Sequence, residues 1–145
     1  MAESNTKVVY KAKTSWVEKL AFDNQIDQHS FRIDGNGPTA EGTGPSPKKM
    51  LLTSLAACTG IDVVSILEKM RVPITGLELD TEADLTEEHP KVFSEIRLIY
   101  RVFGENLDRD KVEKAVQLSK EKYCGVSAML EKNSPIKFEI EYVEA

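Results

Sequence analysis

One stretch constrains this chain more than any other: Ser46 to Arg71, SPKKMLLTSLAACTGIDVVSILEKMR. Between Met50 and Leu67 it holds a single formally charged residue, Asp62, and nearly everything else is aliphatic or small. As a helix, such a segment is apolar around most of its circumference and belongs at the centre of whatever fold it joins. Pro47 suits the first helical position, where a missing N–H costs nothing, and Ser46 stands where it can cap the free amides. Arg71-Val72-Pro73 closes the helix, which is therefore assigned residues 47–71. Along it Ser54, Cys58, Asp62 and Ser65 follow at helical offsets of 4, 4 and 3, a narrow polar stripe with a thiol in its middle.

The flanks of the helix carry β signals. Residues 7–34 are rich in β-formers (VVYKAKT, WVEKLAF, HSFRI) and read as a meander of two or three antiparallel strands. Residues 35–47 collect glycines and prolines and read as a long loop, a place where function often sits. Beyond the helix, Leu77, Leu79, Thr81, Ala83 and Leu85 alternate with Glu78, Asp80, Glu82 and Asp84, as on a half-buried strand. Ile96, Leu98, Tyr100 and Val102 alternate in the same way with Arg97 and Arg101, so an acidic row can face a basic one across a long antiparallel pair. Asp110 with Glu113 predicts a capped helix reaching about Tyr123, Val126–Lys132 a short helix, and Ile136–Tyr142 a last strand. Residues 74–143 thus read ββααβ. The fold class is α+β, antiparallel sheet around a long buried central helix, in one domain spanning 1–145. Trp16, on a predicted strand, is expected to anchor the core.

Charge and composition exclude several functions. Nineteen Lys and Arg against 24 Asp and Glu leave a net charge of -5, which speaks against nucleic acid or an anionic membrane as partner. The N-terminal residues lack an apolar signal region and the central stretch is broken by Ser, Thr and Asp, so a cytoplasmic, non-membrane protein is expected. Two His and two Cys, with no short-spaced ligand pairs, predict no metal site. No G-x-S-x-G elbow is present, and Gly35-Asn36-Gly37 and Gly42-Thr43-Gly44 read as turns rather than phosphate loops.

The thiols remain. Cys58 alone would be an inert core residue, but it shares its stripe with Ser54 and Asp62 and follows a Gly/Pro loop. Cys124 stands between two predicted helices, where helix N-terminal amides favour a thiolate. They lie 66 residues apart in sequence, and whether they meet is a question of geometry. A cytosolic pair that does meet suits a redox couple better than a structural staple.

Ser46-Pro47-Lys48-Lys49-Met50-Leu51-Leu52, Ala56-Ala57-Cys58 and Asp62-Val63-Val64, with Lys122-Tyr123-Cys124 and Ser127 downstream and Trp16-Val17-Glu18 upstream, resemble the OsmC/Ohr family of osmotically inducible and organic hydroperoxide resistance proteins. The resemblance implies an intertwined homodimer with active sites at the subunit interface. It also implies thiol peroxidase activity on small organic hydroperoxides and hydrogen peroxide, with Cys58 as peroxidatic thiolate, Cys124 as resolving thiol, an external dithiol as reductant, and no organic cofactor or metal. Where hydroperoxide-resistance members carry Glu after the helix-starting Pro, this chain has Lys48, roughly 15 Å along the helix from Cys58. Arg32, Glu18 and Asp62 are the candidate supporting residues; an ionised Asp62 one turn from Cys58 would raise a thiol's pKa. Two other readings stand beside the peroxidase: a dimer with an apolar interface pocket lined by Leu55, Met129 and Leu130 and vestigial or redox-sensing thiols, and a purely structural dimer.

Overall fold

The apolar stretch folds into one helix, and the order of elements around it is that of an α+β chain. The computed structural model describes residues 7–144. The strands and helices are β1 (Lys13–Glu18), β2 (Ala21–Ile26), β3 (His29–Ile33), α1 (Pro47–Lys69), β4 (Gly76–Leu85), β5 (Phe93–Phe103), α2 (Arg109–Leu118), α3 (Gly125–Glu131) and β6 (Ile136–Val143). A single π-helical turn, Ser119–Tyr123, joins α2 to Cys124 and α3. The residues form two compact units that divide between Met50 and Leu51, within the first turn of α1.

The N-terminal unit is a three-stranded antiparallel meander in the order β1-β2-β3. Polar groups hold it together. Buried Asn24 accepts from Thr14 Oγ1 at 2.8 Å and donates to the Phe22 and Phe31 carbonyls. Asp34, 1% exposed, pins the following loop by accepting from Gly35 N, Thr43 N and Thr43 Oγ1 at 2.7 to 3.0 Å. Gly44 is required there, because a Cβ would lie 2.5 Å from the Arg32 carbonyl oxygen. Trp16 is not a core anchor within the chain: it is 66% exposed, and its indole N–H donates to the Lys19 carbonyl at 2.9 Å.

The C-terminal unit carries the hydrophobic core. Phe93, Ile96, Leu98, Tyr100 and Val102 bury the inner face of β5 against Leu55, Val63 and Leu67 of α1 and Val112, Ala115 and Val116 of α2. β4 pairs antiparallel with β5 as the alternation requires, Leu79 opposite Tyr100. On the outer face Arg97 holds Glu82, Asp84 and Glu95, and Arg101 holds Glu78, Asp80 and Glu141, all at 2.9 to 3.2 Å. These ladders are exposed to solvent, so each pair contributes little to stability. One pairing departs from an all-antiparallel sheet. β6 runs parallel to β5, Ile96 opposite Ile136, because the long α2–π-turn–α3 connection returns the chain to the start of β5 before β6 begins.

α1 departs from its sequence reading in two respects. Ser46 does not cap it: the Ser46 hydroxyl is buried and makes no hydrogen bond, although its carbonyl accepts from Met50 N. The helix stops at Lys69, because Arg71 takes the left-handed conformation at φ 62° and Val72 N bonds back to the Leu67 carbonyl, a Schellman closure. Its burial is confined to one face. By length and composition it could cross a bilayer, yet Leu55, Thr59, Val63 and Leu67 are sealed in the core while Leu51, Ile61 and Val64 are exposed, Ile61 by 69%. The α2 cap lies two residues before the expected one, where Asp108 accepts from Lys111 N at 3.2 Å.

Candidate functional site

The helical rows of α1 divide the labour. Cys58 and Asp62 occupy a half-buried row, and Thr59 stands one residue on, in the row that faces the core. A buried threonine among Leu55, Val63 and Leu67 needs partners for its hydroxyl, since an unpaired buried donor costs about 1–3 kcal/mol. It finds two. Thr59 Oγ1 lies 2.7 Å from Tyr100 Oη on β5 and 2.8 Å from Ser119 Oγ at the start of the π-turn. Ser119 Oγ in turn donates to Asp62 Oδ2 at 2.9 Å. A carboxylate only accepts and each hydroxyl carries one proton, so the chain of bonds runs one way, from Tyr100 to Thr59 to Ser119 to Asp62. Burial pushes the Tyr100 phenol up to about 12, so it remains an O–H donor at neutral pH.

The π-turn delivers Cys124 to α1. Its wide bond, from Cys124 N to the Ser119 carbonyl at 2.8 Å, spans five residues where an α-helix would span four. Cys124 then becomes the N-cap of α3, and its sulfur accepts from Ser127 N at 3.3 Å. Both cysteines are free thiols, Cys58 half-buried and Cys124 buried. Burial pushes the Cys124 thiol up to about 12, a hydrogen bond to Cys58 adds to this, and the Ser127 amide pulls the other way without offsetting them. The expected helix-terminal thiolate at Cys124 is therefore not formed: one amide does not outweigh desolvation. Cys58 and Cys124 are neighbours, and their interaction favours the protonated Cys124 thiol. The Ser127 hydroxyl, buried beside this pair in sequence, makes no hydrogen bond.

Of the residues singled out from sequence, Cys58, Asp62 and Cys124 share the C-terminal unit, and the two thiols meet. Arg32 and Glu18 belong to the N-terminal unit, where Arg32 Nε binds Asp23 Oδ1 at 2.7 Å and Glu18 ends β1 at a register shift. Leu55 is sealed in the core and Met129 is 68% exposed. Sequence reasoning missed Thr59, Tyr100 and Ser119. Thr59 carried a signal, a hydroxyl at the centre of the Leu55/Val63/Leu67 row, but nothing in sequence pairs it with residues 41 and 60 positions away. Two free thiols in hydrogen-bonding contact, one accessible and one sealed, can cycle between dithiol and disulfide.

Comparison with known proteins identifies the family. Residues 40–139 match the family of OsmC-like proteins. Protein YhfA of Escherichia coli strain K12 is 39% identical over 136 residues, which cover 93% of this chain and 99% of that protein. An OsmC-like protein from Mycoplasma pneumoniae superposes with a TM-score of 0.82 at 16% identity, covering 97% of this chain and 99% of that one. The organic hydroperoxide resistance protein OhrB of Bacillus subtilis superposes at 0.68 with 20% identity, covering 92% and 98%. The last two show likeness of fold; with the family match and the YhfA relationship, they place the chain in the OsmC-like family.

Proposed function

We propose that the chain is a thiol-dependent peroxidase for organic hydroperoxides, with hydrogen peroxide as a further substrate. The observation that carries this reading is the meeting of two free thiols in different settings, Cys124 buried and Cys58 more accessible. Family membership and the fold shared with a protein named for organic hydroperoxide resistance support it. The Cys58 thiolate attacks the terminal oxygen of the hydroperoxide, the O–O bond breaks, and the alkoxide leaves and takes a proton from water to become the alcohol. Cys58 is then a sulfenic acid. The Cys124 sulfur attacks the Cys58 sulfur, its proton departs with the hydroxyl group as water, and a disulfide closes. An external dithiol returns two electrons and two protons by thiol–disulfide exchange, entering at the accessible Cys58 sulfur.

The working unit is a homodimer in the cytoplasm, in which a second copy covers the apolar residues left exposed on α1 and the N-terminal sheet. Arg32 and Glu18 are the proposed supporting groups brought to the site in that assembly.

Steady-state consumption of cumene hydroperoxide with a small dithiol as reductant tests the reading. The protein turns over, Cys58→Ser is inactive, and Cys124→Ser reacts once and then stalls or overoxidises. Equal turnover by Cys58→Ser and the unsubstituted protein would contradict it.

A further inference from the structure

Thr59, Tyr100 and Ser119 take no part in the peroxide chemistry, yet they form an uninterrupted line of hydroxyl groups through the core beside it. Stability does not require such a line, because replacing hydrogen-bonded partners together by apolar side chains of the same shape can be nearly neutral. The placement of Ser119 is informative. Its side chain is bound from both sides by α1, to Thr59, next to Cys58, and to Asp62, one turn further on. Its backbone carbonyl receives the Cys124 amide across the π-turn at 2.8 Å. One residue therefore joins the Cys58 helix to the Cys124 backbone through a hydroxyl on one side and a carbonyl on the other. Tyr100 supplies the rear anchor: it is 1% exposed, stacks edge-on with Phe138 at 6.1 Å, and fixes Thr59 from the sheet side. The Ser127 amide then aims the sulfur.

We propose that Tyr100, Thr59, Ser119 and Asp62 are positioning residues that hold the π-turn against α1 and so fix Cys124 at Cys58, setting how readily the disulfide closes. The three hydroxyl groups act through position and touch no reacting atom, while Asp62, which ends the line, also raises the Cys124 thiol pKa by its charge. The effect of the line on the resolving step rests on the peroxidase reading, whereas its effect on the thiol–disulfide equilibrium does not. Loosening the tether lets Cys124 sample positions away from Cys58 and lowers the effective concentration of one thiol at the other.

The test equilibrates the full-length protein in glutathione redox buffers and quantifies the Cys58–Cys124 disulfide by alkylation and intact mass. The reaction is balanced: two glutathione thiols reduce the protein disulfide to two thiols and become one glutathione disulfide. The compared proteins are the unsubstituted chain, the triple variant Thr59→Val/Ser119→Ala/Tyr100→Phe, which removes the three hydroxyl groups together and leaves half-buried Asp62 without its Ser119 donor, and the conservative Thr59→Ser. The effective thiol concentration falls about tenfold or more in the triple variant, and Thr59→Ser stays within about twofold of the unsubstituted protein, because it keeps the relay. In rapid mixing with cumene hydroperoxide, the ratio of disulfide closure to sulfenic acid formation falls in parallel. Ser119→Ala gives the same reading should the triple variant lose its cooperative melt.

An effective concentration unchanged in both the triple variant and Ser119→Ala overturns the proposal, as does a Thr59→Ser loss equal to that of the triple variant. No reaction of the unsubstituted protein with peroxide, beside a large drop in the glutathione equilibrium, overturns the peroxidase reading and leaves the positioning role supported.

Discussion

Cys58 and Cys124 are the same chemical group in two environments, and the difference between them has measurable consequences. Cys124 is 3% exposed and its thiol is pushed to about 12, so at pH 8 iodoacetamide modifies Cys58 first, by about tenfold or more, as peptide mass mapping will show. The same shift links stability to pH. The ordinary thiol value is 9.0 and the folded value is raised, so the contribution of Cys124 is complete below pH 9 and is lost as pH rises toward 12. The Tyr100 phenol, raised from 10.0 to about 12, adds to the same alkaline loss. Melting temperature measured from pH 8.5 upward therefore falls with pH, and falls less steeply in Cys124→Ser. The cysteines themselves were legible in sequence, because local context singles out a thiol on an apolar helix. The hydroxyl relay was not, because Thr59, Tyr100 and Ser119 come from three elements and only tertiary packing brings them together. The protonation of Cys124 was misread for a related reason: a helix N-terminus can be seen in sequence, but the depth of burial that outweighs it cannot.

Elements were legible where a period or a special residue speaks locally. The alternation of β4 and β5 placed Leu79, Ile96, Leu98, Tyr100 and Val102 on the inner face, and Pro47 marked the first residue of α1. Ends were less legible, since the Ser46 side chain goes unused, Asp108 rather than Asp110 caps α2, and a π-turn replaces the last turn expected of that helix. Each is a choice between near-equal local bonds, settled by packing. The loop before α1 is organised by one carboxylate. Hydrogen bonds from the Thr43 hydroxyl, the Thr43 amide and the Gly35 amide hold Asp34 below its ordinary value of 3.8. A depressed folded value means that this stabilisation is present above pH about 4 and is lost as pH falls below it. Protection from hydrogen exchange at the Gly35 and Thr43 amides, taken relative to the intrinsic rate at each pH, is accordingly high near neutrality and falls as Asp34 is protonated. In Asp34→Asn both amides exchange faster at neutral pH and the acid dependence disappears; protection equal to that of the unsubstituted chain would contradict the assignment.

At the scale of the molecule, the proposed dimer rests on apolar residues left exposed. Ile61, Val64 and Leu51 on α1 and Trp16, Val17 and Phe22 on the N-terminal sheet are apolar and exposed, more than an isolated domain of this size comfortably leaves to water. The helix reads in sequence as apolar around most of its circumference; one face is buried by its own chain, and a second copy is the proposed cover for the other. Light scattering should give twice the 16.2 kDa chain mass, and Ile61→Glu, which puts a charge into that face, should weaken the dimer by at least about tenfold in dissociation constant. A monomer at tens of micromolar would refute the dimer. The parallel β6 was beyond the reach of sequence pattern, because alternation fixes a strand's face and not its direction. The central claim is that Cys58 and Cys124 form a peroxide-driven redox couple, and it is tested most directly by intact mass and free-thiol titration of the reduced protein after one equivalent of cumene hydroperoxide. The account predicts loss of two hydrogens and of both thiols, an oxygen adduct on Cys58 in Cys124→Ser, and no reaction in Cys58→Ser. Two thiols that stay reduced for many minutes in the folded protein would contradict it.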